Sequence, residues 1–297
     1  MELLNILNPK QNPTLSWVTI LAILALLTHL KKKYMSKKLN LKNKVAFITG
    51  GSEGSGFEVA KYFLQHGGRV TIVSRSQQKL EKAKQELEKI VKSQNETQNR
   101  IFIFSADVSN FESVQNALAY SKEQHKTIPD YIIMAAGLAR PGYFINQDIQ
   151  VSKDLMEVNY FGSLNTAKAA LPQMIAEEKP GKLVFFSSAV AICGMIGYSQ
   201  YSPTKFALRG LTDGLQSELK PYGIDVHLFL PSNIDTPGFK IENKTKPIET
   251  QEIEGQAQLY SPQEVTQCLF EGIRKGEYTI TNESLIEVGR IITDGPE

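Results

Sequence analysis

Tyr201 and Lys205 stand four residues apart, and Ser188 lies thirteen residues before the tyrosine. Positions i and i+4 of a helix share one face, so the phenol and the ammonium can be neighbours. A tyrosine of ordinary pKa, about 10, is a poor acid or base at neutral pH. A nearby ammonium favours phenolate and is expected to lower that value. Such a phenol can hand a proton to a carbonyl oxygen or take one back. Ser188 closes the run Leu183-Val184-Phe185-Phe186-Ser187 and can hydrogen-bond the same oxygen. A lone Tyr-x-x-x-Lys is ordinarily an exposed helix pair, so the chemistry rests on what surrounds it.

What surrounds it includes a phosphate loop. The run Val45–Thr49 passes directly into Gly50-Gly51-Ser52-Glu53-Gly54-Ser55-Gly56, and a helical stretch follows. Glycines at 50, 54 and 56 let the backbone turn sharply and approach a pyrophosphate. The helix N-terminus then adds N–H groups and a positive dipole end. This predicts a dinucleotide cradle made by Gly50, Ser52, Glu53, Gly54 and Gly56. The second run ends Ile72-Val73-Ser74-Arg75, where the adenosine ribose is expected. An acid there would accept from the 2′-hydroxyl of NAD(H), whereas Arg75 suits the 2′-phosphate of NADPH, with Lys79 one turn on. Asp107, after the third run, is placed to meet the adenine or to close a turn at a helix start. No metal site is expected.

These residues need elements to hold them. Short β-rich runs (45–49, 70–74, 101–105, 131–135, 182–187, 226–230) alternate with helical stretches (55–66, 76–94, 110–125, 151–178, 202–220). The alternation predicts a single Rossmann-type, doubly wound α/β domain, a parallel sheet with helices on both faces, spanning 41–297. The polar segment 231–261 reads as a long loop with a short helix inside it, a substrate lid at the carboxyl end of a strand. The apolar loop after Ser188 (Ala189, Val190, Ala191, Ile192, Met195, Ile196) reads as a wall for an apolar substrate or as core. Leu138, Ala139, Pro141 and Tyr143 are candidates for the opposite wall.

With these motifs in place, the chain resembles the short-chain dehydrogenase/reductase family over roughly residues 42–235. The resemblance is carried by Thr49-Gly50-x-x-x-Gly54-x-Gly56, by Asn159 in Glu157-Val158-Asn159-Tyr160, by Ser188, and by Tyr201-x-x-x-Lys205. It implies a catalytic set of Asn159, Ser188, Tyr201 and Lys205. In it the Asn organises a water that links the Lys to solvent, and the Lys holds the nicotinamide ribose. One departure is Met134-Ala135-Ala136-Gly137, where the family has Asn-Asn-Ala-Gly. Within the family, Gly197–Tyr201, Thr236–Phe239 and Glu242–Pro247 resemble the fungal 3-ketodihydrosphingosine reductases. That implies NADPH, a long-chain amino ketone lipid as substrate, and a place in sphingolipid synthesis at the cytosolic face of the endoplasmic reticulum. It also implies a homo-oligomer. Other membrane-bound reductions, of acyl-dihydroxyacetone phosphate, a steroid or a retinoid, stay open, and Lys240, Lys244 and Lys246 would suit the phosphate. A non-catalytic dinucleotide-binding scaffold is the remaining alternative.

Charge is divided along the chain. Across 297 residues the formal net charge is +2, but residues 1–40 carry six lysines against Glu2 alone. The remainder is mildly acidic, which argues against a nucleic-acid groove. Leu15–Leu30 is an uncharged apolar run, with His29 neutral, followed at once by Lys31-Lys32-Lys33. Sixteen residues of helix reach about 24 Å, slightly short of a ~30 Å hydrocarbon core. No small-residue cleavage site follows, so residues 1–40 are expected to be an uncleaved membrane anchor. The lysines after it predict a cytoplasmic catalytic domain, with the sequons at Asn95, Asn243 and Asn282 unglycosylated. The subgroup often adds an apolar segment near its C-terminus. This chain ends at Gly295-Pro296-Glu297 without one, so it is either truncated or relies on the N-terminal anchor. Cys193 and Cys268 make no disulfide framework.

Overall fold

The computed structural model describes residues 39–93 and 99–294. The expected anchor at Leu15–Leu30, its lysines and the Asn95 sequon lie outside the described residues. Among the described residues, no helix is long and apolar enough to cross a membrane.

Seven parallel strands form one sheet in the order β3-β2-β1-β4-β5-β6-β7. They are β1 (Val45–Thr49), β2 (Arg69–Ser74), β3 (Ile101–Ser105), β4 (Tyr131–Met134), β5 (Gly181–Phe186), β6 (Ile224–Leu230) and β7 (Thr279–Thr281). All five residues of β1 are buried, as expected of a central strand covered on both faces. The six runs read from the sequence are β1–β6. The seventh strand was not expected. At three residues it carries too little alternation to stand out, and it forms because β6 offers it an edge from Leu228 to Leu230.

Helices cover both faces: α1 (Gly54–Gln65), α2 (Gln77–Ser93) and α3 (Phe111–His125), then α4 (Ile149–Leu155), α5 (Gly162–Ala176) and α6 (Ser202–Leu219). In α2, Leu80, Ala83, Leu87 and Val91 make one buried stripe at helical spacing. Residues 151–178 were expected to be one helix. Instead α4 and α5 are joined by a π-helical turn, Met156–Phe161, which holds Asn159 fully buried. Single π turns are rare and cluster at functional sites, because one extra residue re-aims the side chains around it.

Segment 231–261 contains two short helices, α7 (Pro237–Glu242) and α8 (Ile248–Gly255). Its ends are pinned by a bridge between Ile234 and Tyr260, with Tyr260 N donating to Asn233 O at 3.0 Å. The chain then continues through α9 (Pro262–Lys275), β7 and α10 (Ser284–Asp294). Strand order reverses between β1 and β4, and a ligand crevice is expected at the carboxyl ends of the strands there.

Candidate active site

At that crevice lies a cleft of about 720 Å³, lined by the glycine loop, the ends of β4 and β5, the start of α6, and the lid. Gly50, Ser52, Glu53, Gly54, Gly56, Arg75, Asp107, Ser188, Tyr201 and Lys205 all line it. Of the predicted site residues, Asn159 and Lys79 are not among its lining residues.

The glycine loop meets the demands of a phosphate cradle. Gly50 has φ +68° and Gly54 φ +59°, a region that favours glycine. A Cβ on Gly50 would stand 2.7 Å from Ala136 N, and one on Gly56 2.4 Å from Gly50 O. The N-cap of α1, Glu53, makes no side-chain cap hydrogen bond, and the first turn carries no acid. The first N–H groups of α1 therefore remain available to an anion. These features fit a nicotinamide dinucleotide. At the ribose position Arg75 is exposed, and its guanidinium forms no ion pair among the described residues. Lys79 instead bridges Glu53 at 2.9 Å, so two of the predicted cofactor residues hold each other at the cleft mouth. Asp107 accepts from Ser109 N at 3.0 Å and Ser109 Oγ at 2.8 Å, closing the turn before α3.

The catalytic group is built from three elements. Ser188 follows β5 and caps a 3₁₀ turn, Ala189–Ala191. Tyr201 is the N-cap residue of α6, and Lys205 lies in its first turn. Lys205 is buried, its Nζ donating to Phe186 O at 2.9 Å and standing 5.5 Å from the centre of the Tyr201 ring. Burial lowers its pKa to about 8. The Tyr201 phenol is not lowered, contrary to expectation. Burial and the charge of Glu242 raise it, and only a hydrogen bond from Ser188 pulls the other way. Desolvation of the phenolate, the largest cause, outweighs the hydrogen bond that favours it.

Asn159 acts on the framework. Its Oδ1 accepts from Leu138 N at 2.9 Å, while Nδ2 donates to Leu138 O at 3.0 Å and Thr204 Oγ1 at 3.1 Å. One amide thus ties the loop after β4 to the first turn of α6, beside Lys205. Where Met134-Ala135 stand in place of Asn-Asn, the backbone ties the segment to β1: Ala135 N donates to Thr49 O at 3.2 Å and Ala136 N to Thr49 Oγ1 at 3.4 Å.

On the lid side lie residues that motif reading missed. Tyr198 is buried, and its hydroxyl reaches both Glu242 and Glu254. Lys246 is buried too, paired with Glu254 and, at 3.5 Å, with Glu242. Its Nζ also lies 4.0 Å from the centre of the Phe239 ring. In the sequence, Tyr198, Glu242 and Lys246 stand inside the segments that carry the subgroup resemblance, and Lys246 reads as a phosphate partner, with no sign that the three cluster. Of the three lysines that would suit a phosphate, Lys246 is thus neutralised and Lys240 pairs with Asp235 at 3.0 Å. Of the expected substrate walls, Leu138, Ala139, Ala189, Val190 and Met195 line the cleft. Ala191 instead joins the core.

The short chain dehydrogenase family model matches residues 44–247. The chain belongs to the short-chain dehydrogenase family. Among its relatives in that family is a Dictyostelium discoideum protein named 3-ketodihydrosphingosine reductase, 37% identical over 91% of this chain and 84% of its own. A Cryptococcus neoformans protein, 3-ketodihydrosphingosine reductase TSC10, is 36% identical over 86% of this chain and 75% of its own. In fold, the chain is similar to a Burkholderia phymatum short chain dehydrogenase/reductase solved in complex with NAD. The TM-score is 0.74 at 17% identity, over 85% of this chain and 94% of that one.

Proposed function

We propose that this short-chain dehydrogenase uses NADPH to reduce the 3-keto group of 3-ketodihydrosphingosine, yielding dihydrosphingosine for sphingolipid synthesis. The observation that carries the reading is a Ser188–Tyr201–Lys205 group on a cleft with a glycine cradle, in a chain whose relatives bear that reductase name. The N–H groups at the start of α1 would hold the pyrophosphate, Arg75 the 2′-phosphate, and Lys205 the nicotinamide ribose. When bound, NADPH supplies the hydride.

Tyr201 donates the proton to the carbonyl oxygen. The phenol is protonated at neutral pH, the state a proton donor to that oxygen must be in, and the groups around it have to offset its weakened acidity. Ser188 hydrogen-bonds the same oxygen and fixes its direction. Lys205, buried and charged below about pH 8, steadies the negative charge left on the phenolate. Asn159 keeps the turn carrying both groups against the loop after β4. The apolar wall from Leu138 to Met195 and the lid take the alkyl chain.

The apolar run Leu15–Leu30 and the lysines after it support an anchor in the endoplasmic reticulum membrane, with the reductase on the cytosolic side. The test is NADPH oxidation by the purified chain over a panel of ketones. Turnover of 3-ketodihydrosphingosine well above the steroid, retinoid and acyl-dihydroxyacetone phosphate members is expected. Preference for one of those others, with no turnover of the amino ketone, would overturn the proposal.

A further inference from the structure

The cluster of Tyr198, Glu242, Lys246 and Glu254 takes no part in moving the proton, yet Tyr198, Glu242 and Glu254 line the cleft beside Tyr201. The two tyrosine rings lie 5.7 Å apart. The side chain of Glu242 is 18% exposed and that of Glu254 12%, while that of Lys246 is 1% exposed. Two carboxylates therefore share one ammonium, which leaves one uncompensated negative charge in a desolvated site. Donors are too few as well. The Tyr198 hydroxyl lies within reach of both carboxylates but has one hydrogen to give. Burial of this kind is costly unless a further cation or donor completes it.

We propose that Glu242 receives the ammonium group of the substrate, so that the lid reads the amine beside the ketone. The inference deepens the reading of the site as an amino-ketone reductase and rests on it. In such a substrate the amine sits on the carbon next to the carbonyl. Its partner must therefore lie next to the group that protonates the carbonyl oxygen, and Glu242 acts on Tyr201 electrostatically from that side. Lys246 and Glu254 act as positioning residues: Lys246 reaches both carboxylates and holds Glu242 toward the cleft. Bound ammonium also offsets the charge of Glu242 that holds the proton on Tyr201, so the amine assists transfer of that proton to its own neighbouring oxygen. A ligand without the amine leaves Glu242 with only its share of Lys246 and Tyr198, and sites built to bind a polar group reject ligands that lack it.

The test compares kcat/KM, at saturating NADPH, for the amino ketone, its N-acetyl derivative and its 2-desamino analogue of equal chain length. The wild-type chain is expected to favour the free amine by at least about tenfold over either. Glu242→Gln is expected to remove most of that preference, bringing the three substrates to within about threefold of one another. A merely structural role for Glu242 would lower all three substrates together and leave the ratio intact, which would overturn the inference. Equal use of the three by the wild-type chain would overturn it without any variant, so a poorly folding Glu242→Gln leaves the question decidable. If the wild-type chain reduces none of them, the reading as an amino-ketone reductase fails instead. Reduction of the amino ketone with no amine preference removes the role of Glu242 alone.

Discussion

Tyr201 is kept as a phenol by burial and by Glu242, while a hydrogen bond from Ser188 works the other way. Tyr201→Phe keeps the ring and loses the proton, so kcat/KM should fall by about 10²- to 10⁴-fold while NADPH binding, followed by fluorescence, survives. Persistent turnover would remove Tyr201 as the donor. Lys205 sets the alkaline limit. Its pKa is lowered to about 8 in the folded chain, so the ammonium is present below that pH and lost above it. The reductive kcat/KM should therefore hold through neutrality and decline as pH rises through about 8; a profile flat well into alkali would contradict this. At the far end of the cleft, Arg75→Ala should lower the preference for NADPH over NADH by about 10- to 100-fold, the worth of a charged hydrogen-bonded contact. Equal losses for both cofactors would end its assignment to the 2′-phosphate. Tyr201, Lys205 and Arg75 are legible in the sequence because each is fixed by spacing from a strand end or along one helix face. The direction of the Tyr201 shift is not legible. It depends on Glu242, forty-one residues away in the chain, and on burial that only the folded cleft creates.

Elements explain which parts of the site motif reading misses. β1–β6 and the helices between them follow from alternation and helical stripes, and the sheet order then sets the glycine loop opposite Ser188 and Tyr201. The π turn does not follow from periodicity, because a helix with one inserted residue still reads as a helix over 151–178. Its consequence is that Asn159 spends its amide on Leu138 and Thr204. Removing that amide in Asn159→Ala leaves the part-buried backbone groups of Leu138 without these partners, at about 1 kcal/mol each. A lower unfolding midpoint in urea together with a fall in kcat is expected. Loss of kcat at unchanged stability would show that Asn159 acts mainly on the proton path and not as a brace. The lid carries a comparable lesson. α7 and α8 sit in a polar stretch with Pro and Gly, yet Thr250 Oγ1 donates to Ile196 O at 2.9 Å and Tyr143 hydroxyl to Glu249 at 2.7 Å. Contacts distant in sequence, rather than local propensity, hold these short helices over the cleft.

At the scale of the whole molecule, charge and burial separate into regions with different pH behaviour. The lysine excess lies before residue 41, while the folded domain is mildly acidic and buries two histidines in its framework. His125 packs under β2, its Nε2 at 3.0 Å from Thr71 Oγ1. His227 sits in β6, its Nδ1 at 2.6 Å from Glu277 O. Burial, first among the causes, lowers both to about 4, so each is neutral in the folded chain at neutral pH. Unfolded, each would titrate near 6.5. Between those values the unfolded chain binds more protons than the folded one, so stability rises with pH across the window and is lost as pH falls through it. Each full shift corresponds to about 3 kcal/mol, and most of that is spent between pH 6.5 and pH 4. Urea unfolding at pH 7 and pH 5 should therefore differ by about 3 kcal/mol for the pair, with one to two extra protons taken up on unfolding at the lower pH. His227→Gln should shrink the difference by about half even if it lowers stability at pH 7. A pH dependence that His227→Gln leaves untouched would assign the acid sensitivity to carboxylates instead.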